Sequence, residues 1–252
     1  MRQLTSGRLT LLAAFAAIYL IWGSTYLAIV FAIETMPPLL MLGARFGVAG
    51  AIVFAWARWK GIPVPSREEW RNAAVVGTMT LGAGTGAVAW AEQWVPSGVA
   101  ALLVTTVPIW MVLLEWKWKG GPRPAPAVWW GLAMGAFGIV LLVNPADAAL
   151  TSPEQLAGIV AILLAAVMFS VGAILGRDLA LPSRPLMSTA AQMLLGGLAL
   201  TLVGFLRGET VSWAAISPVS WAAWTYLMIF GSIIAYGSFV WLMKNAKPAH
   251  VS

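Results

Sequence analysis

Apolar runs of close to twenty residues, each closed by a short polar or proline-bearing turn, follow one another along the whole chain. A hydrocarbon core about 30 Å thick is crossed by roughly 20 helical residues. Eight stretches match or approach that length: residues 9–32, 38–57, 72–92, 98–116, 127–143, 156–176, 186–206 and 219–243. The turns between them include Glu34-Thr35-Met36-Pro37-Pro38, Val95-Pro96-Ser97, Asn144-Pro145 and Leu181-Pro182-Ser183-Arg184-Pro185. Their prolines lack a backbone donor and stop helices. The pattern predicts an all-α polytopic membrane protein with no separate soluble domain. Arg2 and Arg8 precede the first apolar run as in a signal peptide, but it continues through Trp22 to Ala32, so it is expected to stay as a span.

Composition agrees with that reading. Of 252 residues, 60% are hydrophobic and 10% charged, too few charges to cover a water-facing surface. Mean hydropathy is +0.85. There is no Cys, which excludes a disulfide framework and thiolate metal sites. The net charge of +6 would suit a nucleic-acid partner, but the basic residues fall in one set of loops. With the N-terminus inside, Arg2, Arg8, Arg58, Lys60, Arg67, Arg71, Lys117, Lys119, Arg123, Arg177, Arg184, Lys244 and Lys247 are all inside, and Arg207 alone is outside. This is the positive-inside rule, so the charge reports topology and an anionic inner leaflet, and no nucleic-acid partner is expected.

The chain also resembles itself. An offset of 147 pairs Ala44, Arg45, Gly50, Lys60 and Gly61 with Ala191, Gln192, Gly197, Arg207 and Gly208. An offset of 151 pairs Trp70, Gly86 and Trp90 with Trp221, Gly237 and Trp241. A first unit of five spans, residues 1–146, makes a second unit, residues 147–252 with about three spans, enter the membrane from the opposite side. Such inverted repeats are the architecture of alternating-access carriers, with the solute near the midplane. The second unit stops at Pro248-Ala249-His250-Val251-Ser252, which pairs with Pro96-Ser97-Gly98-Val99-Ala100, so counterparts of two more spans are expected.

Several stretches resemble the EamA-type branch of the drug/metabolite transporter superfamily. They are Ile21-Trp22-Gly23-Ser24-Thr25-Tyr26, Gly43-Ala44-Arg45-Phe46, Pro96-Ser97-Gly98-Val99-Ala100-Ala101-Leu102, Thr105-Thr106-Val107-Pro108 and Phe230-Gly231-Ser232-Ile233-Ile234-Ala235. The resemblance implies ten helices in two inverted five-helix repeats, both termini cytoplasmic, and export of amino acids or other small metabolites across the inner membrane.

Arg45 is the only cation within an expected span, about six residues from its outer start and so about 9 Å deep. Glu92, near the outer end of the third span, is the acid expected to pair with it. Such a pair can bolt helices together, hold both ends of a zwitterionic solute, or gate the outer mouth. Gln192, the repeat mate of Arg45, places a neutral hydrogen-bonding group toward the inner mouth. Trp22, Tyr26, Trp110, Tyr236 and Trp241 are read as the lining of a substrate cavity that holds apolar or aromatic side chains. Other rings, Trp56, Trp59, Trp70, Trp116, Trp118, Trp129, Trp130, Trp213 and Trp221, fit interfacial belts.

Gly23, Gly82, Gly84, Gly86 and Pro108 are expected to act as hinges or close-packing points, and Gly131 and Gly135 as a packing face of the fifth span. Gly82-Ala83-Gly84-Thr85-Gly86 falls inside an expected membrane helix, with no preceding strand or following phosphate-binding Lys, so it is not read as a nucleotide loop. Glu115, beside Lys117 and Lys119, reads as interfacial. With one His, His250, and no intramembrane acid pair at helical spacing, an enzyme is not expected, nor any cofactor or metal. A passive facilitator or channel, a multidrug efflux carrier and a non-transporting scaffold are the alternatives to an exporter. The expected partners are a small-molecule solute and the bilayer, with the chain a monomer or homodimer. Glu92 is the one candidate proton carrier.

Overall fold

The structure, a computed structural model, describes residues 2–121, 123–142 and 152–245, and all the long elements among them are helical. In chain order they are α1 (residues 2–33), α2 (Pro38–Trp59), α3 (Arg67–Ala91), α4 (Ser97–Lys117), α5 (Pro126–Leu142), α6 (Pro153–Asp178), α7 (Pro185–Leu206) and α8 (residues 218–245). By length and composition, seven are able to cross a membrane; α5 has 17 described residues. Asn144-Pro145, Lys247, Pro248 and His250 lie outside the described residues, as do the side chains of Arg2, Arg8 and Lys244.

Local chemistry sets the helix starts. Proline occupies the first turn of α2, α6, α7 and α8, where its missing N–H costs nothing. Ser66 and Glu69 close a capping box on α3. The α4 rod breaks at Thr105-Thr106 and resumes at Val107 with Pro108 in its first turn, so proline starts the second half there. Large apolar side chains such as Leu20, Leu164, Leu202 and Phe205 are exposed, as a surface solvated by lipid allows.

α2 and α7 are built alike. Each has 22 residues, starts on proline, and ends in a cation, Lys60 or Arg207. Each is then turned by a left-handed glycine, Gly61 with φ 74° and Gly208 with φ 78°. The offset of 147 carries every one of these features of α2 onto α7. The two helices pack against each other running in opposite directions. Leu40 meets Gly204, Gly43 meets Thr201 and Gly197, Gly47 meets Gly197, and Gly50 meets Leu194 and Met193. A Cβ on Gly197 would lie 2.9 Å from Gly47 N and 3.0 Å from Gly43 O, so only glycine permits this approach. Under the offset, Gly47 against Gly197 and Gly50 against Leu194 are the same contact with partners exchanged.

α3 and α8 share a second irregularity. Residues Thr78–Thr85 and Leu227–Tyr236 are π-helical, and the offset of 151 carries 78–85 onto 229–236. A third π segment, Ile18–Trp22, lies in α1. Each is followed at once by glycine, Gly86, Gly237 or Gly23, where normal helix resumes. Glycine lowers the cost of leaving regular helical geometry.

One buried cluster, including Leu42, Phe46, Leu81, Met193 and Leu227, joins α2, α3, α7 and α8. The α5 expectation is corrected. Gly131 and Gly135 have nothing within 4 Å of a Cβ position, so this face packs on no helix among the described residues.

Candidate functional site

Arg45 is 3% exposed and sits where α1, α2 and α8 meet. Its Nε donates to Ser232 Oγ at 2.8 Å, and its Cζ lies 4.8 Å from the Phe46 ring centre. Nη1 is buried without a hydrogen-bond partner. Gly231 makes the room: a Cβ there would lie 2.6 Å from Arg45 Nη2. The π segment of α8 lets Ser232 Oγ both accept from Arg45 and donate to Leu227 O at 3.3 Å, five residues back.

The pairing of Arg45 with Glu92 does not occur. Glu92 is 6% exposed and neither carboxylate oxygen has a hydrogen-bond partner. The ion pairs among the described residues are Lys119–Asp178 at 2.6 Å and Arg177–Glu115 at 3.2 Å, so Glu115 ties α4 to α6. Depth explains the miss. Gly86 of α3 is level with Leu39 of α2, a Cβ there lying 3.8 Å from Leu39 Cδ2. From that level the chain runs six residues one way to Arg45 and six the other way to Glu92. At about 1.5 Å per residue, the two backbone positions stand about 18 Å apart along the bundle.

Gln192 and Tyr236 form a second buried polar node. Tyr236 Oη donates to Gln192 Oε1 at 2.7 Å and lies 3.1 Å from Thr80 Oγ1, joining α8, α7 and α3. Gln192 Nε2 donates to Ser188 Oγ at 2.9 Å. Gly77 lets α3 touch the Gln192 backbone, where any Cβ would collide.

Between the two nodes lies an aromatic cluster. Trp22 meets Phe169 edge-on at 6.1 Å and Phe239 at 5.4 Å, Phe169 meets Phe239 at 5.2 Å, and Phe239 stacks on Tyr236 at 5.9 Å. Trp22 Nε1 points to Gly231 O across a long 3.5 Å contact. Trp110 and Trp241 pack at the edge of the main core, and Trp110 Nε1 is buried without a partner. Tyr26 packs with Trp90 in a separate cluster around Val88, Ala91 and Ile162, away from these rings.

Of the glycines expected to pack closely, Gly84 meets Phe169 at 3.1 Å and Gly86 meets Leu200. Gly82 has only ordinary contacts, and Gly23 has nothing within 4 Å. Of the two expected roles, hinge or close packing, Gly23 and Gly82 thus lack the close contact, and they stand directly after and within π segments respectively.

Sequence reasoning missed Phe169, Phe239, Ser232, Thr80 and Glu209. Glu209 accepts from Leu39 N at 3.1 Å and Leu40 N at 2.8 Å, capping α2 from the α7–α8 loop. A signal for Phe169 was present, since the offset of 147 carries Trp22 onto it.

The EamA-like transporter family profile matches residues 8–144 and again residues 156–252. The chain belongs to the EamA-like transporter family. The Escherichia coli K12 protein named uncharacterized inner membrane transporter YedA is 36% identical over 242 residues, covering 96% of this chain and 76% of that protein. The Synechocystis uncharacterized transporter sll0355 is 27% identical over 268 residues, covering 97% and 76%. One crystal structure superposes with a TM-score of 0.72 at 23% identity, covering 96% of this chain and 82% of that one, a likeness of fold. Membership in the EamA-like family makes this a multi-pass membrane transporter protein. No group of three or more His, Cys, Asp or Glu able to hold a metal stands together among the described residues of this EamA-like chain.

Proposed function

We propose that this EamA-like protein is a secondary transporter of the inner membrane that exports amino acids or similar small metabolites by alternating access. Two oppositely inserted units, residues 1–146 and 147–252, carry the cycle, with the N-terminus in the cytoplasm. The observation that supports this most is the α2–α7 crossing: two helices of identical construction, packed antiparallel, exchange the same contact between Gly47–Gly197 and Gly50–Leu194. Contacts that swap partners are the signature of a two-fold relation. Two like units related in this way have two nearly equivalent packings, one for each side of the membrane.

The family profile matching twice supports the same division. Trp22 and Phe169, which correspond under the offset of 147, touch each other, which puts this ring pair beside the axis. The free Nη1 of Arg45 is suited to a solute carboxylate, and Trp22, Phe169 and Phe239 to an apolar or aromatic side chain. Glu92 forms no ion pair with Arg45 and is not assigned to this site.

Reconstituted protein should show saturable flux of labelled amino acids in proteoliposomes. Truncating Arg45 should lower that flux far more than truncating Arg71, which is exposed. Arg58 is a poorer control, because it donates to Ile62 O at 2.6 Å and closes the α2 end. Absence of saturable flux sinks the carrier reading, and equal effects of the Arg45 and Arg71 changes sink the site.

A further inference from the structure

Glu92 is left over from the site just described. It ends α3 on a normal helical bond, its N–H donating to Val88 O at 2.9 Å, yet its side chain is buried and both oxygens lack partners. Around it the packing is tight: a Cβ on Gly158 of α6 would lie 3.5 Å from Ala91 Cβ and 2.7 Å from Val95 Cγ2. α4 contributes Val99, Ala100 and Leu103 to the same apolar cluster, and α6 contributes Ile159 and Ile162.

The charged and titratable groups around it can be named. From α1, Tyr26 is close enough to interact electrostatically with the carboxylate. At the end of α7, Arg207 lies with its Cζ 5.3 Å from the Trp90 ring centre and makes no ion pair among the described residues. On α6 the nearest acid in sequence is exposed Glu154, and the residues that α4 adds to the cluster at this end of α3 are apolar. Among the described residues, no cation pairs with Glu92.

An ionised carboxylate without a cation or hydrogen-bond donor is strongly disfavoured in an apolar interior and neutralises instead. We propose that Glu92 is a proton-binding site, holding its proton while the end of α3 is packed against α6 and releasing it when that end opens to water. Proton release is then a step of the transport cycle, and one proton moves for each opening of this mouth. This deepens the transporter reading and rests on it for the word coupling, but the protonation itself does not. An acid in a span that pairs with nothing is expected to serve an ion pathway.

The test uses the full chain in liposomes. Infrared spectra at neutral pH should contain the carbonyl stretch of a protonated carboxylic acid. That band should vanish in Glu92→Gln, shift in Glu92→Asp, and convert to carboxylate as the wild type is taken to alkaline pH. Missing bands, or a band that survives in Glu92→Gln, overturn the proton site whether or not any solute moves. Flux of labelled amino acids is then measured with and without an imposed pH gradient. One proton per solute lets a gradient of one pH unit sustain about a tenfold solute ratio. The stimulation ratio should be well above one in the wild type and fall to one in Glu92→Gln, whatever the absolute rate. A ratio unchanged by the substitution overturns the coupling. Loss of all saturable flux in the wild type overturns the carrier reading and the coupling with it, while the infrared result still decides protonation.

Discussion

Replacing Arg45 with Met separates a bolt from a binding group. The thioether chain fills similar volume, removes the charge and cannot donate. Ser232, the partner it abandons, is not orphaned, because its hydroxyl still donates to Leu227 O. Three structural terms therefore change. One hydrogen bond from a charged group goes, about 1.5–3 kcal/mol, together with a ring contact to Phe46 of about 0.5–2 kcal/mol. Against them, the burial of a cation with no counter-charge is relieved, a penalty of several kcal/mol. The sum lies near zero or on the stabilising side. At about 2–4 °C per kcal/mol for a chain of this size, the melting temperature in detergent should hold or rise by a few degrees. Transport should behave differently. If Nη1 holds a solute carboxylate, losing that bond costs about 1.5–3 kcal/mol, or roughly ten- to a hundredfold in flux at subsaturating solute. Thermal unfolding and labelled amino-acid flux, measured on the same reconstituted batches, check both halves. A melting temperature lower by more than about 6 °C, with flux per folded molecule unchanged, would show that Arg45 is a bolt and refute the reasoning.

Gly197→Val should be severe, since its Cβ would sit 2.9 Å from a backbone nitrogen and 3.0 Å from a backbone oxygen of α2. Overpacking costs of about 1–3 kcal/mol or more should lower the melting temperature by about 2–12 °C, while Gly135→Ala, in open space, should leave it unchanged. Tyr236→Phe strips the hydroxyl that joins Gln192 to Thr80, leaves Gln192 Oε1 unpaired, and should cost about 1–3 kcal/mol in the same melt. Glu209→Ala removes the acceptor for Leu39 and Leu40 N–H, and should cost about 0.5–2 kcal/mol, seen as faster amide exchange in the first turn of α2. Unchanged exchange there would mean that water replaces the carboxylate at no cost.

Much of the fold was legible because a bilayer leaves few choices. Spans must be apolar and about twenty residues long, and their turns must carry the prolines and charges. The boundaries 38–57 and 186–206 fall within two residues of the observed ends of α2 and α7. The proline at each start and the glycine after each end are local signals that survive any packing. The π segments were not legible as such, since their side chains are as apolar as the helix around them. What marked them was a glycine at the point of return, and Gly23 and Gly86 both stand among the residues expected to act as hinges or close-packing points. Gly86 also makes a close contact, since a Cβ there would meet Leu200.

The site was legible in kind more than in partnership. That Arg45 needs a partner follows from its burial, but choosing Glu92 required knowing how far α2 is sunk relative to α3, and depth is a tertiary quantity. The actual partner, Ser232, is on α8, 187 residues away. The repeat narrows that search. Arg45 and Gln192 are mates, and each is held from α8 by residues one turn apart, Ser232 and Tyr236. A single helix thus touches both mates at once, on its π segment, where the backbone can most easily lengthen or shorten a turn. In the proposed cycle, a slide or rewinding of α8 there would change the Arg45 and Gln192 contacts together. Under the proposed carrier cycle, two polar nodes on one irregular helix would be a means of making the two mouths exclusive, which an alternating carrier requires and a static scaffold does not.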